Sequence, residues 1–174
     1  GTILGTSREK PFRKQLSATD SDKPQVILEN YRELGLDCLV CIGGNGTQKT
    51  AGMLANIGLN VIGVPKTIDN DLYGTDVTFG FHSAVDSASN VVSSLHSTAE
   101  SHNRIMVCEI MGNKAGWLTL YSGIAGGADI ILLPEIPYDI DVVVDAINKR
   151  KAAGKRFTIL AVAEGAISKE DAEL

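Results

Sequence analysis

The amino-acid sequence predicts an α/β protein, a three-layer αβα arrangement around a doubly wound, mostly parallel sheet. Three observations carry that expectation. Short, near-continuous apolar runs recur along the chain, segments of helical period separate them, and loops dense in Gly, Asp, Asn and Thr follow the runs. A run that does not alternate polar with apolar residues belongs to a strand covered on both faces, as in parallel sheets. Regular alternation of such strands with helices implies crossover connections and helices on the sheet faces.

The strand runs are Leu39-Val40-Cys41-Ile42, Val61-Ile62-Gly63-Val64, Ile105-Met106-Val107-Cys108, Ile130-Ile131-Leu132-Leu133 and Phe157-Thr158-Ile159-Leu160-Ala161-Val162. Ahead of the first, Pro24 just inside the start and Gly35 just past the end bracket a helix with Ile27, Tyr31 and Leu34 on one face. A second helix is predicted to start around Thr47. The clearest helical period runs over Phe81, Ala84, Val85, Ala88, Val91, Val92, Leu95 and Ala99, with Ser, Asp and Asn opposite. Gly116–Ala128 reads as a weaker helix, because Gly123, Gly126 and Gly127 interrupt it. A further helix carries Val143, Ala146 and Ile147 and stops near Gly154. No repeat, low-complexity tract or linker breaks the pattern, so residues 1–174 read as a single domain.

Composition narrows the function. The 174 residues suffice for one sizeable core, and an apolar content of 44% excludes a disordered chain. The 18 glycines have no collagen-like period, so they mark special turns. Sixteen basic against 21 acidic residues give a net charge of −5. Without a basic patch no nucleic-acid partner is expected, and no run approaches the ~18 apolar residues of a membrane span. Three cysteines cannot all pair, which points to a reducing, cytoplasmic setting. The chain starts at Gly1 and not at Met, so it is expected to be an excised piece of something longer.

In such sheets ligands bind beyond the C-terminal strand ends, and the informative residues fall there. Ile42-Gly43-Gly44-Asn45-Gly46-Thr47-Gln48-Lys49-Thr50 takes the chain from a strand into a helix. Free N–H groups at a helix start and a close backbone suit a phosphate. The Walker pattern G-x-x-x-x-G-K-[ST] nearly fits from Gly43, but Gln48 stands at its second glycine and the pattern is rejected. The dinucleotide pattern fails because Lys49 stands at its third glycine. A plain Gly-rich turn is the bland alternative. Pro65-Lys66-Thr67-Ile68-Asp69-Asn70-Asp71 sets two carboxylates two apart on a loop. One Asp can act as general base on a hydroxyl while the other positions a metal or orients the first, and Lys66 offers a point charge to phosphate. Here the bland alternative is an Asx-turn with solvated carboxylates.

Lys66-Thr67-Ile68-Asp69-Asn70-Asp71 after a Gly-Gly-Asn-Gly-Thr turn resembles the 6-phosphofructokinase family. Gly80-Phe81, Ser101-His102-Asn103-Arg104, Met111-Gly112, Gly116-Trp117-Leu118-Thr119-Leu120, Ile124-Ala125-Gly126-Gly127-Ala128, Pro134-Glu135 and Gly1-Thr2-Ile3-Leu4-Gly5-Thr6-Ser7-Arg8 agree in order along the chain. The Gly-rich turn is shared with NAD kinases and diacylglycerol kinases, whereas the Thr-Ile-Asp-Asn-Asp loop is highly specific. The resemblance implies a Rossmann-like domain that phosphorylates the 1-hydroxyl of fructose 6-phosphate. Asp69 would be the base, Asp71 would support it near Mg²⁺, and Thr67 would help bind the sugar or the migrating phosphoryl group. Arg8, Gly44, Asn45, Gly46 and Thr47 would form the nucleotide site. Met111, Gly112, Asn113 and Glu164 would hold the sugar phosphate, with Arg104 reaching it across a subunit interface. A homo-oligomer, dimer or tetramer, is implied for the full enzyme. An N-terminal strand with its loop and a C-terminal half would be missing from residues 1–174, leaving a catalytic-domain fragment with an open sheet edge and little activity alone.

Three departures bear on that assignment. Asn45 stands where the family usually carries a metal-holding Asp, and offers a carbonyl oxygen without charge, so Mg²⁺ binding is weaker or leans on Asp69, Asp71 and donor phosphates. Asn113 followed by Lys114 replaces a common Arg, and Lys lacks its bidentate fork. Gly46 resembles ATP users, because an Asp there would crowd and repel the α-phosphate, whereas Lys66 resembles pyrophosphate users. ATP is the favoured donor, with pyrophosphate and a non-catalytic homologue as the alternatives. Cys38-Leu39-Val40-Cys41 reads as two buried thiols, and His82 and His96 lie too far apart to share a metal. His102 is expected to cap or orient the turn before Arg104. Trp117 and Tyr121 read as packing, and Lys149-Arg150-Lys151 as a solvated helix end.

Overall fold

A computed structural model describes Ile3, Gly5, residues 10–12 and residues 22–174. The chain divides into two compact units, Gly1–Lys66 and Thr67–Leu174. The first holds α1 (Lys23–Glu33), β1 (Leu39–Gly43), α2 (Asn45–Asn56) and β2 (Val61–Thr67), whose last residue opens the second unit. Pro24 occupies the first turn of α1, where its missing N–H costs nothing. Gly35 ends the helix at φ +60°, which lets the Leu36 N–H reach back to the Tyr31 carbonyl at 3.2 Å. The strands β1 and β2 pair in parallel, from Leu39 opposite Val61 to Gly43 opposite Pro65. Leu28, Leu54 and Leu59 form the core of this unit, with Ile27, Tyr31, Leu39 and Val61 packed against it. Gly44 is the N-cap of α2, and its carbonyl accepts from Gln48 N at 3.0 Å. The helix therefore begins at Asn45, two residues earlier than expected.

The second unit holds β3 (Phe79–Gly80), α3 (Phe81–His102), β4 (Ile105–Ile110), α4 (Trp117–Gly126), β5 (Ile130–Leu132), α5 (Ile140–Ala152), β6 (Thr158–Ala163) and α6 (Lys169–Ala172). Its sheet runs β4-β6-β5, parallel throughout, with Ile105 opposite Thr158 and Ile130 opposite Leu160. Phe81, Val92 and Ala99 of α3 meet Leu118 of α4 and Ile110, Ile159 and Ala161 of the sheet in one buried cluster. Parallel strands with helices on both sides make this the α/β, Rossmann-like class that the sequence predicts. Among the described residues no helix is long and apolar enough to cross a membrane.

Two expectations change. The glycines of α4 do not interrupt it. A Cβ at Gly123 would lie 2.8 Å from Ile131 Cδ1, and one at Gly126 would lie 2.6 Å from Val92 Cβ. These glycines let α4 approach β5 and α3 closely, and the helix ends only where Gly127 takes φ +76°. Arg150 is the second correction, because it is not part of a solvated helix end. Its guanidinium pairs with Asp129 at 2.7 Å and donates to Thr158 Oγ1 at 3.2 Å and to the Phe157 carbonyl at 3.4 Å. Asp129 in turn accepts from Ile159 N at 2.9 Å. The three-residue basic run concealed one residue that fastens α5 to the start of β6. Lys149 does face solvent, paired with exposed Asp145 at 3.4 Å.

The thiols of Cys38, Cys41 and Cys108 are free and partly buried. Burial pushes the Cys41 and Cys108 thiols up, away from reactivity, and Cys38 adds to the rise at Cys41.

Arg150→Met leaves the Asp129 carboxylate and the Thr158 hydroxyl without their partner and should cost about 2 kcal/mol of stability in urea unfolding. Lys149→Met should change it by less than about 0.5 kcal/mol. Equal effects would return Arg150 to the solvent-facing role.

Candidate active site

The loop after β2 supplies the clearest chemistry, and its shape follows from three polar side chains. Thr67 Oγ1 accepts from Asp69 N at 3.2 Å, which turns the chain just past the strand. Asn70 then takes φ +52°, a left-handed conformation that Asn tolerates better than most residues. Its Oδ1 accepts from Thr78 N at 2.9 Å, across eight residues. Thr78 is buried and donates its hydroxyl to the Thr67 carbonyl at 2.8 Å. Both ends of the loop are thereby tied together, with Asp69 and Asp71 flanking the strained Asn70.

A second cluster lies at the ends of β4 and β6. Glu164, just beyond β6, accepts through Oε1 from Gly112 N at 2.9 Å and Asn113 N at 2.6 Å. Those two N–H groups hold its carboxyl below the usual glutamate range, Asn113 more than Gly112. Gly112 is required, since a Cβ there would lie 2.5 Å from the Ala115 carbonyl oxygen. Nearby, Glu135 Oε1 accepts from Gly116 N at 2.7 Å at the start of α4.

The two clusters meet at Asp69. Burial raises its pKa most, the charges of Asp71 and Glu164 raise it further, and the Thr67 hydroxyl opposes them. Two neighbouring carboxylates thus act on one half-buried position. The structure brings together Thr67, Asp69, Asp71, Met111, Gly112, Asn113 and Glu164, all in the second unit. Arg104 is not among them. It is exposed and precedes β4, whereas Met111 follows that strand, roughly 20 Å away at the rise of a parallel strand.

The Gly-rich turn lies in the first unit. The first-turn N–H groups of a helix have no partner within it, and Gly44 offers no side-chain cap to those of α2. A Cβ at Gly43 would strike the Thr47 side chain, whereas one at Gly46 would meet nothing within 4 Å. Asn45, Gly46, Thr47 and Lys66 are exposed. Arg8 lies outside the described residues.

Sequence reasoning missed Asn70, Thr78 and Glu135 as loop anchors and saw in Gln48 only a mismatch. Their signal was present but weak, since each is a polar residue beside a Gly or Asx turn. Among the described residues no group of three or more His, Cys, Asp or Glu could hold a metal by itself. Asp71 fits a shared Mg²⁺, being half-buried, next to Asp69, and without a hydrogen bond or ion pair among the described residues. Mg²⁺ usually takes one or two carboxylates together with substrate phosphates.

An α/β fold carrying an acidic loop and a Gly-rich turn at strand ends is an architecture suited to handling phosphorylated ligands. The Phosphofructokinase family model matches residues 1–173, and the chain belongs to that family. It is 62% identical to ATP-dependent 6-phosphofructokinase of Spirochaeta thermophila, over 98% of this chain and 48% of that protein. It is 59% identical to ATP-dependent 6-phosphofructokinase 3 of Bacteroides thetaiotaomicron, over 97% and 50%. The chain therefore spans about half the length of the curated relatives it matches. Among solved structures, phosphofructokinase from Saccharomyces cerevisiae superposes with a TM-score of 0.84 at 31% identity, over 98% of this chain and 26% of that one. A pyrophosphate-dependent phosphofructokinase from Marinobacter aquaeolei gives 0.79 at 24% identity, over 97% and 44%, a likeness of fold alone.

Because folding raises the Asp69 pKa, it disfavours the charged form. The resulting destabilisation is fully present above the raised folded value and disappears below the unfolded one. Asp69→Asn should therefore raise the urea midpoint at pH 7 in metal-free buffer, with the gain shrinking as pH falls through the carboxylate range. Equal midpoints at pH 7 would count against a desolvated carboxylate.

Proposed function

We propose that the protein is an ATP-dependent 6-phosphofructokinase, which transfers the γ-phosphoryl group of ATP to the 1-hydroxyl of fructose 6-phosphate. The observation that carries this reading is Asp69, half-buried and held by Thr67, with burial, Asp71 and Glu164 all raising its proton affinity. A carboxylate made more basic by its surroundings is suited to accept a hydroxyl proton. As the sugar oxygen bonds to phosphorus, the bond from phosphorus to the bridging oxygen breaks, the proton passes to Asp69, and ADP leaves. Such transfer depends mostly on positioning and charge stabilisation.

The other residues take supporting roles in the same reading. Glu164 commits Oε1 to the Gly112 and Asn113 N–H groups, leaving Oε2 for a sugar hydroxyl. Met111, Gly112 and Asn113 line the sugar phosphate site, and Thr67 helps bind the sugar or the migrating group. Arg104 serves the phosphate of a neighbouring subunit in a homo-oligomer, in keeping with its place at the far end of β4. Asp71 would hold Mg²⁺, with Asn45 offering a weaker oxygen, and the ion would supply positive charge against the donor phosphates. Donor binding belongs to Arg8, Gly44, Asn45, Gly46 and Thr47. The enzyme is cytoplasmic and glycolytic.

ATP is favoured over pyrophosphate by the open space around Gly46 and by the names of the relatives that are 62% and 59% identical. Lys66 is the one feature on the pyrophosphate side. In the complete protein, Asp69→Asn should lower kcat by about 10³-fold while the fructose 6-phosphate affinity stays within about threefold. A coupled assay with Mg²⁺ and each donor checks this. An unchanged rate would remove Asp69 from the chemistry, and absence of any Mg²⁺-dependent rate in the unaltered protein would favour a non-catalytic homologue. Gly46→Asp should weaken use of ATP and raise use of pyrophosphate; unchanged donor preference would sink the steric argument.

A further inference from the structure

We propose that Gln48 is a positioning residue for the donor site, fixing the spacing between the turn that carries Gly46 and the end of β2 that carries Lys66. The inference rests on the donor reading above and adds a specificity-determining residue to it. Pro65 stands opposite Gly43 in the β1–β2 register, where both strands leave the sheet. Gln48 supplies donors at that place. Its Nε2 lies 2.8 Å from the Val64 carbonyl and 3.0 Å from that of Gly43, with the Cys41 carbonyl at 3.5 Å. An amide nitrogen carries two protons, and the two short bonds use them both.

Three further observations fit the same role. Oε1 of Gln48 lies over Gly63, where any Cβ would collide with it, so the strand is shaped around this amide. The Gln48 backbone N–H also makes the 3.0 Å bond to the Gly44 carbonyl at the start of α2. One residue therefore fixes both the first turn of the helix and the ends of two strands. Gly46 is two residues from Gln48, and Lys66 is two residues from Val64. A glycine at position 48, as the Walker pattern requires, would leave the Gly43 and Val64 carbonyls without these donors. Phosphate sites need their donors held within about 0.5 Å, so loosening this tie should disturb the donor before it disturbs the sugar.

The test uses the complete protein and two variants. Gln48→Met keeps length but has no N–H, whereas Gly63→Ala keeps the amide and pushes against its oxygen. Both should raise the KM for ATP by about tenfold, with kcat and the KM for fructose 6-phosphate within about twofold. Measurements are made below each variant's unfolding transition, and if Gln48→Met does not fold, Gly63→Ala decides. An unchanged KM for ATP, or equal rises for both substrates, would overturn the inference and leave Gln48 a purely structural residue. Unaltered protein that shows no ATP-dependent transfer would overturn the functional reading itself, and the inference with it.

Discussion

Parallel strands that stop along one edge leave backbone N–H and C=O groups which the ladder no longer pairs, and a buried orphan of this kind is costly. Much of the local structure at the strand ends answers that constraint. Gln48 covers the carbonyls of Gly43 and Val64. Asn70 and Thr78 close the loop after β2. Glu164 takes the N–H groups of Gly112 and Asn113, and Glu135 that of Gly116. These anchors are polar side chains, and in the loop after β2 Ile68 adds an apolar one by packing against the core of the second unit.

The same constraint produces the electrostatics. Satisfying backbone N–H groups at a strand end calls for an acceptor, and Glu164 is a charged one. Its negative charge is stabilised by the two N–H groups that lower its pKa, and then acts on Asp69, whose pKa it helps to raise. Asp71 acts in the same direction, and burial of Asp69 exceeds both. Two carboxylates in one cluster are thus driven apart in proton affinity by their surroundings. Such separation is how a site obtains a base from ordinary acidic residues.

Strand β6 and the long helix α3 were legible because hydrophobic period reports burial directly, whereas β1 and β4, expected to be covered on both faces, expose Val40, Ile42, Ile105 and Val107. Ile159 and Ala161 are fully buried in an unbroken apolar run, and Val92 and Ala99 are fully buried on a helical stripe. The candidate acids were legible because they share a loop in a specific motif. What the sequence concealed depends on partners distant along the chain. Gly123 and Gly126 read as breaks until Ile131 and Val92 are set against them. Arg150 read as one of three solvated cations until Asp129 pairs with it. Local composition gives no hint of either contact.

Gln48 shows why a failed motif match still carries information. A Walker glycine is needed where the backbone itself must fold around a phosphate, and a side chain at that position would obstruct it. Here position 48 is already inside α2, with its backbone N–H bonded to Gly44 and its side chain turned towards the strand ends. A large polar residue is tolerated because the helix begins at Asn45, ahead of it. The Gln48 amide then bridges the two strand ends, at the Gly43 carbonyl of β1 and the Val64 carbonyl of β2. The departure at position 48 and the glycine at 63 are two sequence features with one physical cause, since the strand is left open where the amide lies over it.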